Sequence, residues 1–277
     1  MSDKKKCCDK SSDSQTPAPV ATVAEVSGDQ SEPEKSDHED EADGEEPGTI
    51  EIPDTDRDAY ELDFQHCRIH KLENLEVLTR IENLGFRWNQ IKTIENLQTL
   101  TTLQELELYD NQITKIENLD CLVNLRILDV SHNRLRKIEG LESLTNLTKL
   151  FLVSNKIGKI EGLEQCSKLE MLELGDNKIR KIENLEAQTG LTELFLGKNK
   201  IVRIENIDHL TSLRLLSIQS NRIREISGIF AIICPSSKLS LMYHKSIINV
   251  IYRFGCSAPT GGAVHRGQRS HKLERLG

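Results

Sequence analysis

The chain has 277 residues, of which 29% are charged and only 4% are aromatic, with a formal net charge of −8. No run of roughly 18 apolar residues occurs, which argues against a membrane-spanning helix. The seven scattered cysteines match no disulfide framework or zinc-ligand set. The composition therefore predicts a reduced, intracellular protein that has no membrane partner.

The first segment, residues 1–58, is strongly acidic and contains 18 Asp or Glu against six Lys or Arg. Its few large apolar side chains cannot bury enough surface to offset chain entropy, so we expect disorder. We call this segment the acidic arm. Ser31 and Ser36 each have a glutamate three residues later, the spacing that acid-directed kinases prefer, so they are candidate phosphorylation sites. The alternative is that the arm only solvates the chain.

From residue 59 onward the sequence repeats itself every 22 residues. The repeating frame is L-x-x-L-x-L-x-x-N-x-I-x-x-I-x-x-L-x-x-L, the leucine-rich repeat pattern. Its asparagine position is filled in eight successive coils by Cys67, Asn89, Asn111, Asn133, Asn155, Asn177, Asn199 and Asn221. The pattern predicts an α/β solenoid over residues 59–233, with an N-terminal cap and seven repeats. Such a horseshoe has a parallel concave sheet and an irregular or 3-10 convex side.

Two further rows of the repeat predict local structure. The ladder asparagine is expected to lie buried where the strand ends, with its amide bonded to backbone groups of its own and neighbouring coils. A second position holds only two residue types, which share a tolerance for positive φ and so predict a left-handed turn. That row is Asn74, Asn96, Asn118, Gly140, Gly162, Asn184, Asn206 and Gly228.

The repeat pattern fails toward the C-terminus. One period after Asn221 stands Tyr243, and the last 44 residues, 234–277, carry seven Lys or Arg against one acid. We expect a divergent basic tail that is partly disordered, with residues 239–254 folding over the last coil. A solenoid whose last coil lacks a cap exposes its core, so self-association through that coil is a further expectation.

Motifs for catalysis, metals and nucleotides are absent from the sequence, so we predict no enzyme activity, no metal and no cofactor. His66 and His70 flank Cys67, but a strand followed by a turn does not place them on one face. His132 lies near Asp129, and no nucleophile completes a triad with them. A near-neutral body with an acidic concave face predicts no nucleic-acid partner.

Outward positions of the concave strands carry large apolar and acidic side chains that have no core to enter. Aligned, exposed phenylalanines rimmed by acids are typical of a protein interface. The predicted partner-binding residues are Glu107, Tyr109, Asp129, Phe151, Glu173 and Phe195. Scattered apolar side chains on a surface would be ordinary, but these align in register on one face.

The 22-residue motif ending in I-E-[NG]-L resembles the short intracellular class of leucine-rich repeats. Within that class, the segments 106–113, 150–157, 171–179 and 194–201 are similar to the leucine-rich-repeat regulatory subunits of protein phosphatase 1, and the resemblance covers about residues 58–228. It implies a non-catalytic subunit, nuclear and also cytoplasmic, that binds the phosphatase catalytic subunit. It also implies that Asp129, Phe151, Glu173 and Phe195 carry the contact.

The chain departs from that family in two respects. The family continues for several more repeats and ends in a cap, whereas this chain leaves the pattern near Ile232, which predicts a shortened or alternative C-terminus. No basic-x-Val/Ile-x-Phe/Trp docking motif occurs, so binding is expected to use the solenoid surface. The alternatives are a general scaffold, as in ciliary dynein assembly, and an RNA-associated repeat protein of the spliceosomal type.

Overall fold

A computed structural model of the chain describes residues 48–226 and 240–242. Over these residues it contains one 3-10 helix and short strands that are nearly all three residues long. The helix is Asp54–Asp56, and the strands are β1 (Glu61–Asp63), β2 (Asn83–Gly85), β3 (Glu105–Glu107), β4 (Ile127–Asp129), β5 (Lys149–Phe151), β6 (Met171–Glu173), β7 (Glu193–Phe195), β8 (Arg203–Ile204), β9 (Leu215–Ser217), β10 (Glu225–Ile226) and β11 (Ser240–Met242).

Nine of these strands form one parallel sheet in the order β1-β2-β3-β4-β5-β6-β7-β9-β11, and β8 pairs with β10 beside it. The register is constant, because each strand residue from β1 to β9 pairs with the residue 22 positions later. The predicted solenoid with a parallel concave sheet is confirmed. The expected helical content is not present in the described repeats, whose convex side is irregular.

The core explains why the strands are short. Leu106 and Leu108 point inward and are fully buried, while Glu107 between them faces outward. After this alternation the chain turns and contributes further buried Ile and Leu side chains to the same interior. One continuous cluster results, from Ile50 to Ile218. A parallel strand needs its neighbours on both sides, so each coil depends on the next.

The ladder asparagines make the predicted bonds. Asn111 Oδ1 accepts a hydrogen bond from Ile91 N–H at 3.0 Å, and Asn111 Nδ2 donates to Phe86 O at 2.8 Å, both in the preceding coil. Its Nδ2 also donates to Leu108 O and Tyr109 O of its own coil. The inter-coil pair of bonds recurs for all seven asparagines. Each asparagine therefore fastens its coil to the one before.

Two rows of left-handed residues run along the solenoid. The predicted Asn/Gly row has φ between 58° and 71° from Asn74 to Asn206, which confirms the expected turn, and Gly228 lies outside the described residues. A second row, immediately before the ladder asparagine, has φ between 52° and 59° and was not predicted. It comprises His66, Trp88, Asp110, His132, Ser154, Asp176, Lys198 and Ser220.

The folded region begins about ten residues earlier than the predicted boundary at residue 59. Gly48 pairs with Ile69, Ile50 is 1% exposed, and Asn74 Nδ2 donates to Ile50 O at 3.2 Å. Residues 48–58 therefore belong to the cap, because Ile50 covers the apolar end of the first coil. The remainder of the acidic arm, including Ser31 and Ser36, lies outside the described residues.

The C-terminal end also differs from expectation. Strand β11 lies within the predicted divergent tail, yet it adds to the concave sheet and pairs in parallel with β9, Ser240 opposite Leu215 and Met242 opposite Ser217. The step from β9 to β11 is 25 residues rather than 22. Three extra residues between the strands hide the continuation from a search at constant period. The predicted solenoid end at 233 was therefore wrong, and the rest of the tail lies outside the described residues.

Candidate functional site

The third residue of each strand forms a single column along the middle of the concave sheet. The register places Glu107 beside Asp129, Asp129 beside Phe151, Phe151 beside Glu173, and Glu173 beside Phe195. Neighbouring strands lie about 4.8 Å apart, so these side chains are contiguous. We call these five residues the central column. They are five of the six predicted partner-binding residues, and the fold brings them together.

The two phenylalanines of the column are more enclosed than the sequence predicted. Phe151 and Phe195 are both half-buried rather than solvent-facing. The reason is local, because side chains on adjacent strands of a concave surface shield one another. Each ring still presents part of its surface to solvent on a face with no core above it. Burial of that remaining surface by another molecule is favourable.

The carboxylates of the column sit in a partly dehydrated setting. Burial raises the pKa of Glu107, opposed by Arg87, whose Nε donates to Glu107 Oε2 at 2.6 Å. Burial also raises the pKa of Asp129, opposed by the Ser131 N–H that donates to Asp129 Oδ1 at 2.8 Å. The pKa of Glu173 is raised by burial and then by repulsion from Asp129. Basic or donor groups on a partner would relieve this cost.

An aromatic rim borders the column on its N-terminal side. The His66 ring stacks on Trp88 at a centroid distance of 4.6 Å, Trp88 meets Tyr109 edge-on at 5.6 Å, and Tyr109 contacts His132 at 4.7 Å. Trp88 is 39% exposed. The sixth predicted residue, Tyr109, belongs to this group, and the other three were not predicted as a site. Three of the four share one repeat position, which was the available signal.

The N-terminal end of the concave face is shallow and polar. A depression of about 90 Å³ there is lined by Asp63, Asn83, Gly85, Arg87 and Glu107 among others. Asp63 Oδ1 is buried at this place without a hydrogen-bond partner among the described residues. Its size and lining fit a donor group from another molecule better than an enclosed small-molecule ligand.

The described part of the chain offers no grouping of three or more side chains that could hold a metal ion. His66 is occupied in the aromatic rim, and the Cys67 thiol donates to Gln65 O at 3.4 Å. His132 contacts Tyr109, away from any catalytic grouping. None of the helices in residues 48–226 and 240–242 is long and apolar enough to cross a bilayer.

Comparison with known proteins identifies the repeat type. A family model described as Leucine Rich repeats (2 copies) matches residues 101–143 and 145–187. Among curated proteins, no sequence match was found.

Similar solved structures include two internalins of Listeria monocytogenes. With inlF the chain shares 25% identity and a TM-score of 0.58, over 66% of this chain and 60% of that one. With inlC2 it shares 26% identity and a TM-score of 0.59, over 67% and 80%. A leucine-rich repeat protein of Leptospira interrogans, 21% identical with a TM-score of 0.59 over 66% and 54%, shares the fold.

Proposed function

We propose, from the premise that this chain is a leucine-rich repeat protein and a protein-interaction scaffold, that its concave surface binds the catalytic subunit of protein phosphatase 1. Its role would be that of a non-catalytic regulatory subunit acting in the nucleus and cytoplasm. Among such subunits, its repeat segments are most similar to regulatory subunit 7.

The observation that carries the proposal is the composition of the central column. Two half-exposed phenylalanines alternate in register with carboxylates whose charged forms are disfavoured by burial. A partner that covers the rings and supplies basic groups gains from both features. The residues implied by the resemblance, Asp129, Phe151, Glu173 and Phe195, are the same residues that the register makes contiguous.

The dimensions are adequate for a stable complex. The ladder from Cys67 to Asn221 comprises eight coils, which span roughly 34 Å at the strand spacing. A concave face of that length can bury an area of standard interface size. The aromatic rim and the unpartnered Asp63 oxygen extend the contact surface toward the N-terminal end.

A kinetic binding measurement tests the proposal. The purified phosphatase catalytic subunit is passed over the immobilised full-length chain, and its association rate is compared with that for Asp129→Lys/Glu173→Lys. We expect the wild-type chain to bind and the reversal to slow association about tenfold or more, with stronger salt dependence. Glu142→Lys/Glu186→Lys, which reverses two exposed acids of the same coils off the column, is the matched control. Absence of binding by the folded wild-type chain would refute the proposal.

A general scaffold is the second candidate, because the aromatic rim also suits a different protein partner. The His66–Trp88–Tyr109–His132 ladder lies toward one end of the concave face, away from Phe195. Under that alternative, Trp88→Ala would abolish capture of the partner while the Asp129/Glu173 reversal would have little effect. The relative effect of the two variants on one partner therefore separates the two candidates.

A further inference from the structure

A row of basic side chains follows the edge at which each concave strand ends. The residue after the ladder asparagine is basic in five consecutive coils, at Arg134, Lys156, Lys178, Lys200 and Arg222. Each backbone N–H in this row donates to a carbonyl oxygen of the preceding coil at 2.8 to 2.9 Å. The five positions are therefore stacked in register, one coil apart.

This row differs from the lysine row beside it in having no counter-charges. Lys115 lies 2.9 Å from Glu117 and Lys159 lies 3.4 Å from Glu161, so that neighbouring row is compensated. Within the described ranges no ion pair forms at any of the five stacked residues, four of which are exposed and one, Lys200, half-buried. Two positions further on, three exposed arginines add to the charge in alternate coils. They are Arg136, Arg180 and Arg224. We call these eight residues the basic ridge.

The acidic arm joins the solenoid at the same edge. Gly48 N–H donates to Arg68 O at 3.1 Å, and Arg68 occupies the repeat position that Arg134 and its successors occupy in later coils. The arm therefore leaves the folded region in line with the ridge, three coils before Arg134. Residues 25–46, just beyond that point, contain eleven acids and one lysine.

We propose that the basic ridge binds the acidic segment 25–46 of the same chain. An extended chain covers about 3.3 Å per residue, so the 22-residue segment can reach about 70 Å. The far end of the ridge, Arg222, lies seven coils from Arg68, or roughly 34 Å. Tethering at Gly48 gives the segment a high effective concentration at the ridge. Phosphorylation of Ser31 or Ser36 would add negative charge to the segment and strengthen the contact.

The first experiment uses the unmodified full-length chain. A carbodiimide joins carboxylates to amines that are in contact, and the products are mapped by mass spectrometry. We expect cross-links from acids of residues 25–46 to Lys156, Lys178 or Lys200 at about 10 mM salt, where the Debye length is about 30 Å. At about 1 M salt, with a Debye length of about 3 Å, these cross-links should disappear. Cross-links spread evenly over the surface lysines at low salt would overturn the proposal.

The second experiment measures how well the ridge protects the segment from cleavage after glutamate. We expect Arg134→Glu/Lys156→Glu/Lys178→Glu to raise the low-salt cleavage rate about fivefold or more, because only the undocked segment is cleaved. The matched control is a triple reversal on the opposite edge of the same coils, which should leave the rate unchanged. That control is Arg126→Glu/Lys149→Glu/Lys168→Glu, and all three of its residues are exposed. Equal rates for both variants would contradict the proposal, provided that each melts as a folded protein.

A third measurement separates the arm from an external polyanion as the occupant of the ridge. Anisotropy of a labelled oligouridylate of about 20 nucleotides reports access to the ridge, since backbone phosphates bind lysine and arginine without sequence preference. A full-length chain whose acids in residues 25–46 are changed to amides should bind the oligonucleotide about tenfold more tightly than wild type. Equally tight binding by both chains would show an open ridge and overturn the proposal.

Discussion

Replacing Asn155 with alanine tests what holds neighbouring coils together. The Asn155 Oδ1 accepts from Leu135 N–H at 2.9 Å, and its Nδ2 donates to Val130 O at 2.9 Å. Without the amide, the buried Leu135 N–H has no acceptor, which costs about 1–3 kcal/mol. Val130 O keeps a bond from Asn133 Nδ2 at 3.2 Å, so its loss is only the net value of one bond, about 1 kcal/mol. The expected total is about 2–4 kcal/mol.

The assay for this variant is urea unfolding followed by circular dichroism, with Asn124→Ala as the control. Asn124 Nδ2 also donates to a neighbouring coil, to Thr101 O at 2.8 Å, but at an exposed site where water can replace it. We expect the control to lose less than about 1 kcal/mol. If Asn155→Ala lost no more than Asn124→Ala, the ladder amides would not be the main coupling between coils, and the reasoning would be refuted.

The other predictions concern protonation, thiol reactivity and local opening. Burial raises the pKa of the three central-column carboxyls above 4.5 for glutamate and 3.8 for aspartate, and basic partner groups would lower it again. Partner binding should therefore release protons and tighten as pH rises from the ordinary values through the raised ones, which calorimetry in two buffers measures. Burial raises the pKa of the Cys166 thiol to about 11, so a thiol reagent should modify exposed Cys121 at least about 100-fold faster in the native chain. Equal rates before denaturation would contradict this. Amide exchange should be faster around Ile223, half-buried in the last regular coil, than around fully enclosed Ile138. Uniform exchange would count against a weakly covered end.

The sheet register could be predicted because a constant period of 22 fixes which residues stack. Once Leu106 is placed on an inward position, every outward residue of later strands follows by addition, including Phe151 and Phe195. The ladder bonds follow in the same way, since an asparagine at a strand end has only backbone groups within reach. These features depend on the repeat and not on the identity of any single side chain.

Features outside the constant period were not predicted, for physical reasons. The left-handed row before the ladder asparagine includes Trp88, Ser154 and Lys198, which share no side-chain chemistry that signals positive φ. Ile50 lies within an acidic segment, so its burial depends on a core that only the folded coil supplies. The β9 to β11 step of 25 residues breaks the addition rule. The stacking of Tyr109 on His132 joins two different repeat positions and needs coordinates.

The most direct test of the concave surface as the binding site is affinity for the phosphatase catalytic subunit after removal of both phenylalanines. Phe151→Ala/Phe195→Ala should stay folded by circular dichroism and lose about 2 kcal/mol or more of binding energy per ring, roughly 100-fold or more in all. Val123→Ala/Val202→Ala, which removes two exposed apolar side chains off the central column, should bind like wild type. Wild-type affinity in the folded phenylalanine double variant would contradict the concave-surface assignment.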